Sequence, residues 1–355
     1  MNTEQQTISS QTLIVKMLLK KHSHIDRTSL SSSAIFLFTL WLVATFNGCI
    51  APSVHAANLL FKSNFGSGVS LEPPTKFFAS VRGTGAWQHI TGTDKETGYT
   101  WPITAFGVKF SGVQLLTVDP VTPSTIGNYI TNEIRSVTGP EGKPINELFQ
   151  NVKIKGPIGQ GGSQASLLIQ RPWTIDDVNN LYITYWFKYS TDFASRLDSS
   201  VSSGNWRTQF EFKTGGYNNT FAGDYRIITN VLKDTSGQLF WRTKGDNQAN
   251  GPWPRIDFWT EDNRAVPVPV GTWFKFEVYW HRSSGSDGRF WAAVNGEVIV
   301  DHHGSNMGDY NLPITRIMVN NAYHGGHAAV ESHSTGLEIW DGFPCGVGVS
   351  CYIKK

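Results

Sequence analysis

The stretch 273–303 reads WFKFEVYWH (273–281), RFWAAVNG (289–296) and EVIVDHH (297–303). Large apolar residues alternate with polar ones in it, and Asp287-Gly288 and Asn295-Gly296 mark the breaks. Alternation of period two puts every second side chain on one face, which is the pattern of a half-buried strand. Asp-Gly and Asn-Gly between such runs are hairpin turns. Three consecutive strands are therefore expected here.

The same pattern repeats outward in both directions. LYITYWFKYS (181–190), WRTQFEFKT (206–214), DYRIITNVL (224–232), QLFWRT (238–243) and RIDFWT (255–260) precede the stretch. ITRIMVNNAY (314–323) and GLEIWDG (336–342) follow it. No long segment carries a helical stripe; INELFQ (145–150) is the one short candidate. Many strands at regular spacing, without helices between them, predict an all-β sandwich of two antiparallel sheets. Segment 57–130 is Gly- and Pro-rich and reads as an edge strand, LLFKSNF, followed by long loops.

The N-terminal 56 residues are a different kind of sequence. Lys16, Lys20, Lys21 and Arg27 precede the apolar run AIFLFTLWLVATF (34–46), and Val54-His55-Ala56 follows as a small-residue cleavage site. Basic, apolar, small is the order of a secretory signal. The run is short for a membrane span. The expected division is a leader, 1–56, and one jelly-roll domain, 57–355, secreted or periplasmic. Met17 is an alternative start. Cys49 offers a lipoprotein variant, although it lacks the usual Leu three residues earlier.

Without the leader the chain is formally neutral, and charged residues are only 16 % of the whole against 13 % aromatic. That balance gives no basis for a nucleic-acid partner, and no membrane span is expected in the mature chain. Cys345 and Cys351 close CGVGVSC; in an exported protein they are expected to form a disulfide. No metal ligand is assigned. Calcium held by Asp309 or Asp301 with backbone oxygens would suit such a sandwich; no other cofactor is expected.

Segment 271–326 carries a resemblance. Gly271-x-Trp273 opens a strand, Asp287-Gly288 turns it, Asn295-Gly296-Glu297 ends the next, and an Asn-rich strand runs into Tyr323-His324-Gly325-Gly326. This resembles the concanavalin A-like lectin/glucanase superfamily, and within it is most similar to heparin-lyase and glucuronan-lyase type polysaccharide lyases. NEIRS (132–136) and WRTQFEFK resemble the Arg/Glu strand and the central Gln-containing strand of those families. The resemblance implies a jelly roll and a polysaccharide partner, with an acidic glycan as the candidate. The glucanase pattern Glu-x-Asp-x-x-Glu is absent, which disfavours retaining hydrolysis.

A lyase must neutralise a uronate carboxylate, remove the C5 proton and protonate the leaving oxygen. The expected catalytic set is Arg135, Gln209, Tyr323 and His324. Arg135 and Gln209 would hold the carboxylate, Tyr323 or His324 would be the base, and Tyr323 would return the proton. Strict alternation in WRTQFEFKT puts Arg207, Gln209, Glu211 and Lys213 on one polar face. Glu133, Arg207, Lys213, Asn321 and Trp253, in its Gly-Pro-Trp-Pro loop, are the expected substrate contacts. The alternative is a non-catalytic carbohydrate-binding protein of the same fold.

Overall fold

Apolar alternation resolves into two antiparallel sheets in a computed structural model, which describes residues 57–80, 83–157, 162–172, 178–200, 202–214, 225–247, 256–307 and 312–352. The eight-stranded sheet runs β17 (Glu297–His303), β16 (Arg289–Val294), β15 (Phe274–His281), β10 (Asn180–Lys188), β19 (Val330–Trp340), β8 (Pro144–Val152) and β7 (Ile130–Thr138), with β1 (Leu59–Ser63) also on β19. The eleven-stranded sheet runs β14 (Ile256–Asn263), β13 (Leu239–Asn247), β12 (Arg226–Lys233), β11 (Trp206–Thr214), β18 (Ile314–Ala322), β9 (Gln164–Gln170), β6 (Phe110–Leu116), β4 (Gly83–Thr93) and β2 (Ser70–Leu71). β3 (Thr75–Ser80) and β5 (Thr100–Trp101) pair with β4 as well. The architecture is an all-β jelly-roll sandwich, as the alternation predicts.

The inner faces meet in one apolar core. Ile183, Tyr185 and Phe187 of β10 and Phe274, Phe276, Val278 and Trp280 of β15 face Phe210 and Phe212 of β11 and Ile227 and Val231 of β12. Aromatic rings pack edge-on or tilted there; Phe212 and Trp280 lie 5.0 Å apart between the sheets. Burying each such side chain contributes roughly 1.5–3 kcal/mol.

Two expectations about elements change. INELFQ is not helical: it lies within β8, where Leu148 and Val152 enter the core and Glu147 and Phe149 point away from it. The described residues of segment 57–130 form six strands, β1 to β6, rather than one strand with loops. Its Gly residues obscure the alternation, since Gly83, Gly85 and Gly92 of β4 have no side chain to register a face.

The C-terminal tail lies on the outside of the eight-stranded sheet. Phe343 packs with Tyr182, Tyr279 and Trp291. Glu277 accepts hydrogen bonds from the Tyr182 and Ser350 hydroxyls and from the Cys351 amide. Cys345 and Cys351 are joined, with Cα atoms 5.4 Å apart. Among the described residues no helix is long and apolar enough to cross a membrane.

Candidate functional site

The residues expected to form one site fall in three places. Arg135 is on β7, on the outer face of the eight-stranded sheet. Its Nε donates to Glu147 Oε1 at 2.8 Å, and its guanidinium lies 3.6 Å from the Phe149 ring centroid. Glu133 shares that outer face, opposite Phe149, and is exposed. Gln209 is inside the sandwich. Its Oε1 accepts from the Tyr189 hydroxyl and its Nε2 donates to the Tyr185 oxygen at 3.0 Å. Arg207 is also inside and fully buried, donating through Nη2 to Ser332 Oγ at 3.0 Å. Burial lowers its pKa to about 10. Tyr323 is on the outer face of the eleven-stranded sheet. Arg135, Gln209 and Tyr323 therefore cannot meet one ligand. Trp253 lies outside the described residues.

Arg135 belongs to the other sheet, and within β11 and β18 a pair of neighbouring bulges sets which way the side chains face. The β11–β12 register shifts between Thr208 and Phe210, and the β18–β9 register shifts between Met318 and Asn320. A bulge inserts one residue and re-aims the strand beyond it. Arg207 thus points inward and Glu211 and Lys213 outward, although strict alternation groups all three. On β18 the side chain of Asn320 turns inward, donating to Ser334 Oγ at 2.9 Å, and Asn321 turns outward.

His324 is no base. Its Nδ1 accepts from the Gly326 amide and its Nε2 donates to the Ala328 carbonyl, each at 3.0 Å. Burial first, then the neighbouring Arg207 and Lys155, push its pKa down to about 3. The imidazole is neutral, with both nitrogens engaged in shaping the Gly-rich loop.

What the outer face of the eleven-stranded sheet does gather is orderly. One cross-strand row contains Gln114, Ser166 and Asn321, on β6, β9 and β18. Beside it Thr208, Asn230, Arg242 and Asp262 form a row of their own across β11 to β14. Tyr323 joins it, for the Thr208 amide donates to the Tyr323 carbonyl. The Tyr323 ring meets Trp206 edge-on at 5.0 Å, and Lys155 Nζ lies 5.0 Å from its centroid. Ser166 Oγ donates to Asn321 Oδ1 at 2.6 Å, which fixes the amide with its NH₂ end away from Ser166.

About 13 Å further along the strands, at roughly 3.3 Å per residue, a second row sets Arg316, Lys213 and Arg226 directly opposite one another. Like charges so placed are destabilising unless carboxylates brace them. Glu211 takes Lys213 and Arg226, each at 3.0 Å. Asp246 takes Arg226 through two bonds of 2.6 and 2.9 Å and Lys244 at 3.0 Å. Lys244 reaches Asp257 at 3.2 Å. Burial, with Arg226 and Arg316 beside it, lowers the Lys213 pKa against the pull of Glu211. Burial raises that of Asp246, although Arg226 opposes it. Lys213 and Arg226 are buried, whereas Arg316, Arg242 and Tyr323 are partly exposed. Sequence reasoning missed Arg226 and Asn230 of β12, Arg242 of β13 and Arg316 of β18, which align with their neighbours only through register.

Among the described residues no group of three or more His, Cys, Asp or Glu could hold a metal ion. Asp301 is engaged by Arg289 through bonds of 2.7 and 2.9 Å, so its carboxylate is not a ready calcium ligand. Asp309 lies outside the described residues.

No family model matches the chain, and no curated protein matches it. Among solved structures, it is similar to a double mutant of alginate lyase Aly36B in complex with alginate tetrasaccharide. Identity is 16 %, over 54 % of this chain and 80 % of that one, with a TM-score of 0.39. It is similar to endo-β-1,4-glucuronan lyase from the fungus Trichoderma reesei, at 13 % identity over 60 % and 90 % of the two chains, TM-score 0.41. It is also similar to the binding domain of botulinum neurotoxin DC in complex with rat synaptotagmin II, at 8 % identity over 73 % and 48 %, TM-score 0.39. At such values these likenesses carry no argument about chemistry, which must come from the side chains.

Proposed function

We propose that this protein is a secreted polysaccharide lyase that cleaves a uronate-containing glycan by β-elimination on the outer face of the eleven-stranded sheet. The observation that carries the reading is the row Arg316–Lys213–Arg226 on the same face as Asn321 and Tyr323. Lys213 and Arg226 are balanced by Glu211 and Asp246, and the partly exposed Arg316 at the end of the row suits a carboxylate, to which Arg offers two parallel bonds.

The glycan lies across the strands and meets Arg316 at a charged group, while Asp262 holds Arg242 through two bonds of 2.6 and 2.7 Å. At the reacting unit the amides of Asn321 and Asn230 hydrogen-bond the uronate carboxylate and make the C5 proton more acidic. These two replace Arg135 and Gln209 in that role. Tyr323 is the acid–base group. Its phenolate takes the C5 proton, the C4–O bond breaks as the C4–C5 double bond forms, and the phenol returns the proton to the leaving oxygen.

The test is release of unsaturated product, read by its ultraviolet absorbance, from a panel of uronate polymers. Tyr323→Phe is expected to lower turnover by about 10²–10⁴-fold, with an unchanged circular dichroism spectrum. Arg316→Ala is expected to raise KM more than it lowers kcat. If the wild-type chain binds these polymers and forms no product from any of them, the lyase reading fails and a carbohydrate-binding protein takes its place. The inward commitment of Gln209 and the backbone bonds of His324 favour that second reading.

A further inference from the structure

The outer face of the eight-stranded sheet holds a cavity of about 340 Å³ that the reaction above does not use. Its size falls within the range in which small ligands are held. Trp186 of β10, Lys275 of β15, and Thr335 and Glu338 of β19 line it, together with Lys143 of the turn between β7 and β8 and Asn146 at the start of β8.

Trp186 is fixed in place. Gly336 adopts a left-handed φ of +60°, and a Cβ there would stand 3.1 Å from Trp186 Cδ1, so the glycine lets the backbone lie against the indole. Tyr352 of the C-terminal tail meets the ring edge-on at 6.0 Å.

The carboxylates lining the cavity are each engaged. Glu338 holds Lys62 at 2.8 Å, Glu141 holds Lys143 at 3.4 Å, and Glu96 accepts from Asn64 at 3.1 Å. Lys275 differs. Its ammonium lies 5.7 Å from the Trp186 ring centroid and makes no ion pair or hydrogen bond among the described residues. The two carboxylates whose fields reach it, Glu338 and Glu277, are bonded elsewhere. Burial of Lys275 accordingly lowers its pKa. A half-buried ammonium whose nearest carboxylates are bonded elsewhere, beside an anchored indole in a cavity, suits an acidic ligand.

We infer that this cavity binds one acidic sugar unit, as a second and non-catalytic glycan site. Trp186 offers its flat face to the pyranose ring, Lys275 meets the carboxylate, and Asn146 and Thr335 bond hydroxyls. The inference takes from the proposed function only the class of glycan; it does not depend on cleavage.

The experiment is calorimetric titration of short oligouronates, with uncharged oligoglucosides as control. The protein carries Arg316→Ala, which weakens the other face. Lys275→Met and Trp186→Ala are each expected to weaken the remaining binding by about tenfold or more, equivalent to about 1.4 kcal/mol. Lys275→Arg should retain most of it, and Tyr323→Phe should leave it unchanged. Unchanged affinity in Lys275→Met, which keeps the packing of the stem, would overturn the site. Equal binding of uncharged oligoglucosides would overturn the acidic class. Product formation is followed on the same proteins. Its absence from the wild type refutes the lyase and leaves this site standing, whereas Lys275→Met is expected to form product at the wild-type rate.

Discussion

The two outer faces of the sandwich handle charge in opposite ways. On the eleven-stranded sheet, charges are pooled: Lys213, Arg226 and Lys244 share Glu211, Asp246 and Asp257 in one connected ladder across four strands. On the eight-stranded sheet they are settled locally: Lys62 with Glu338, Arg289 with Asp301, and Arg135 with Glu147 and its neighbour His333. A pooled ladder is interdependent, because Glu211 and Asp246 each brace two cations, and a negative ligand at Arg316 adds to its balance. Local pairs can be removed one at a time.

The largest expected effect tests that interdependence. Arg226→Leu leaves Glu211 with Lys213 alone and takes from Asp246 its two-bonded partner, both in buried surroundings. Breaking a buried pair by removing one member costs about 3–5 kcal/mol. Denaturant unfolding should show a loss of that order. A loss below about 1 kcal/mol would show that the ladder is no more connected than an exposed pair.

A smaller effect comes from the loop that closes the same face. Folded His324 has a pKa near 3, against 6.5 ordinarily. The unfolded chain therefore binds a proton on this residue below pH 6.5 while the folded chain does not. Stability falls as pH drops from 6.5 towards 3 and is insensitive to this group above that window. His324→Gln keeps an amide that can donate to Ala328 and has no proton to gain. Its stability should decline less steeply than the wild type between pH 6.5 and 4, by up to a few kcal/mol at the acid end, on the scale of about 1.4 kcal/mol per pH unit. Parallel profiles would show that His324 titrates normally and that its ring is not locked.

The contrast also explains what the sequence could and could not disclose. Alternation in 181–190, 273–281 and 289–294 predicts the inner face of β10, β15 and β16 residue by residue, because those strands pair with one another without interruption. In WRTQFEFKT the same rule predicts Glu211 and Lys213 as facing away from the core but misplaces Arg207 and Gln209. One inserted residue exchanges the faces, and nothing in the composition of the strand marks where it sits. Tyr323 and Asn321 are legible as chemistry at a strand end. Arg226 and Arg316 are ordinary residues in their own strands; only the cross-strand register makes them one row with Lys213. Arg135 fails for a different reason: its strand belongs to the other sheet, a fact that topology decides and local pattern does not.

The smallest effect concerns Arg135 itself and is the sharpest check on the local character of its face. Its side chain is 37 % exposed, while its partner Glu147 is fully buried. Glu147 does not depend on Arg135 alone, since His333 Nδ1 lies 3.0 Å from both of its oxygens. Burial raises the Glu147 pKa, yet His333 and Arg135 outweigh it and hold the carboxylate below 4.5. A depressed carboxylate contributes stability above its unfolded pKa and loses it as pH falls through the folded one. Arg135→Ala removes part of that contribution and the packing over Phe149. A loss of about 1 kcal/mol is expected at neutral pH, the upper end for exposed pairs. The deficit should shrink in acid, once Glu147 is protonated with or without Arg135, down to the share owed to Phe149. A loss of 3 kcal/mol or more by the same unfolding measurement, or a deficit that ignores pH, would mean that Arg135 is bound into a network like that of Arg226. The distinction between a pooled face and a locally paired one would then fall.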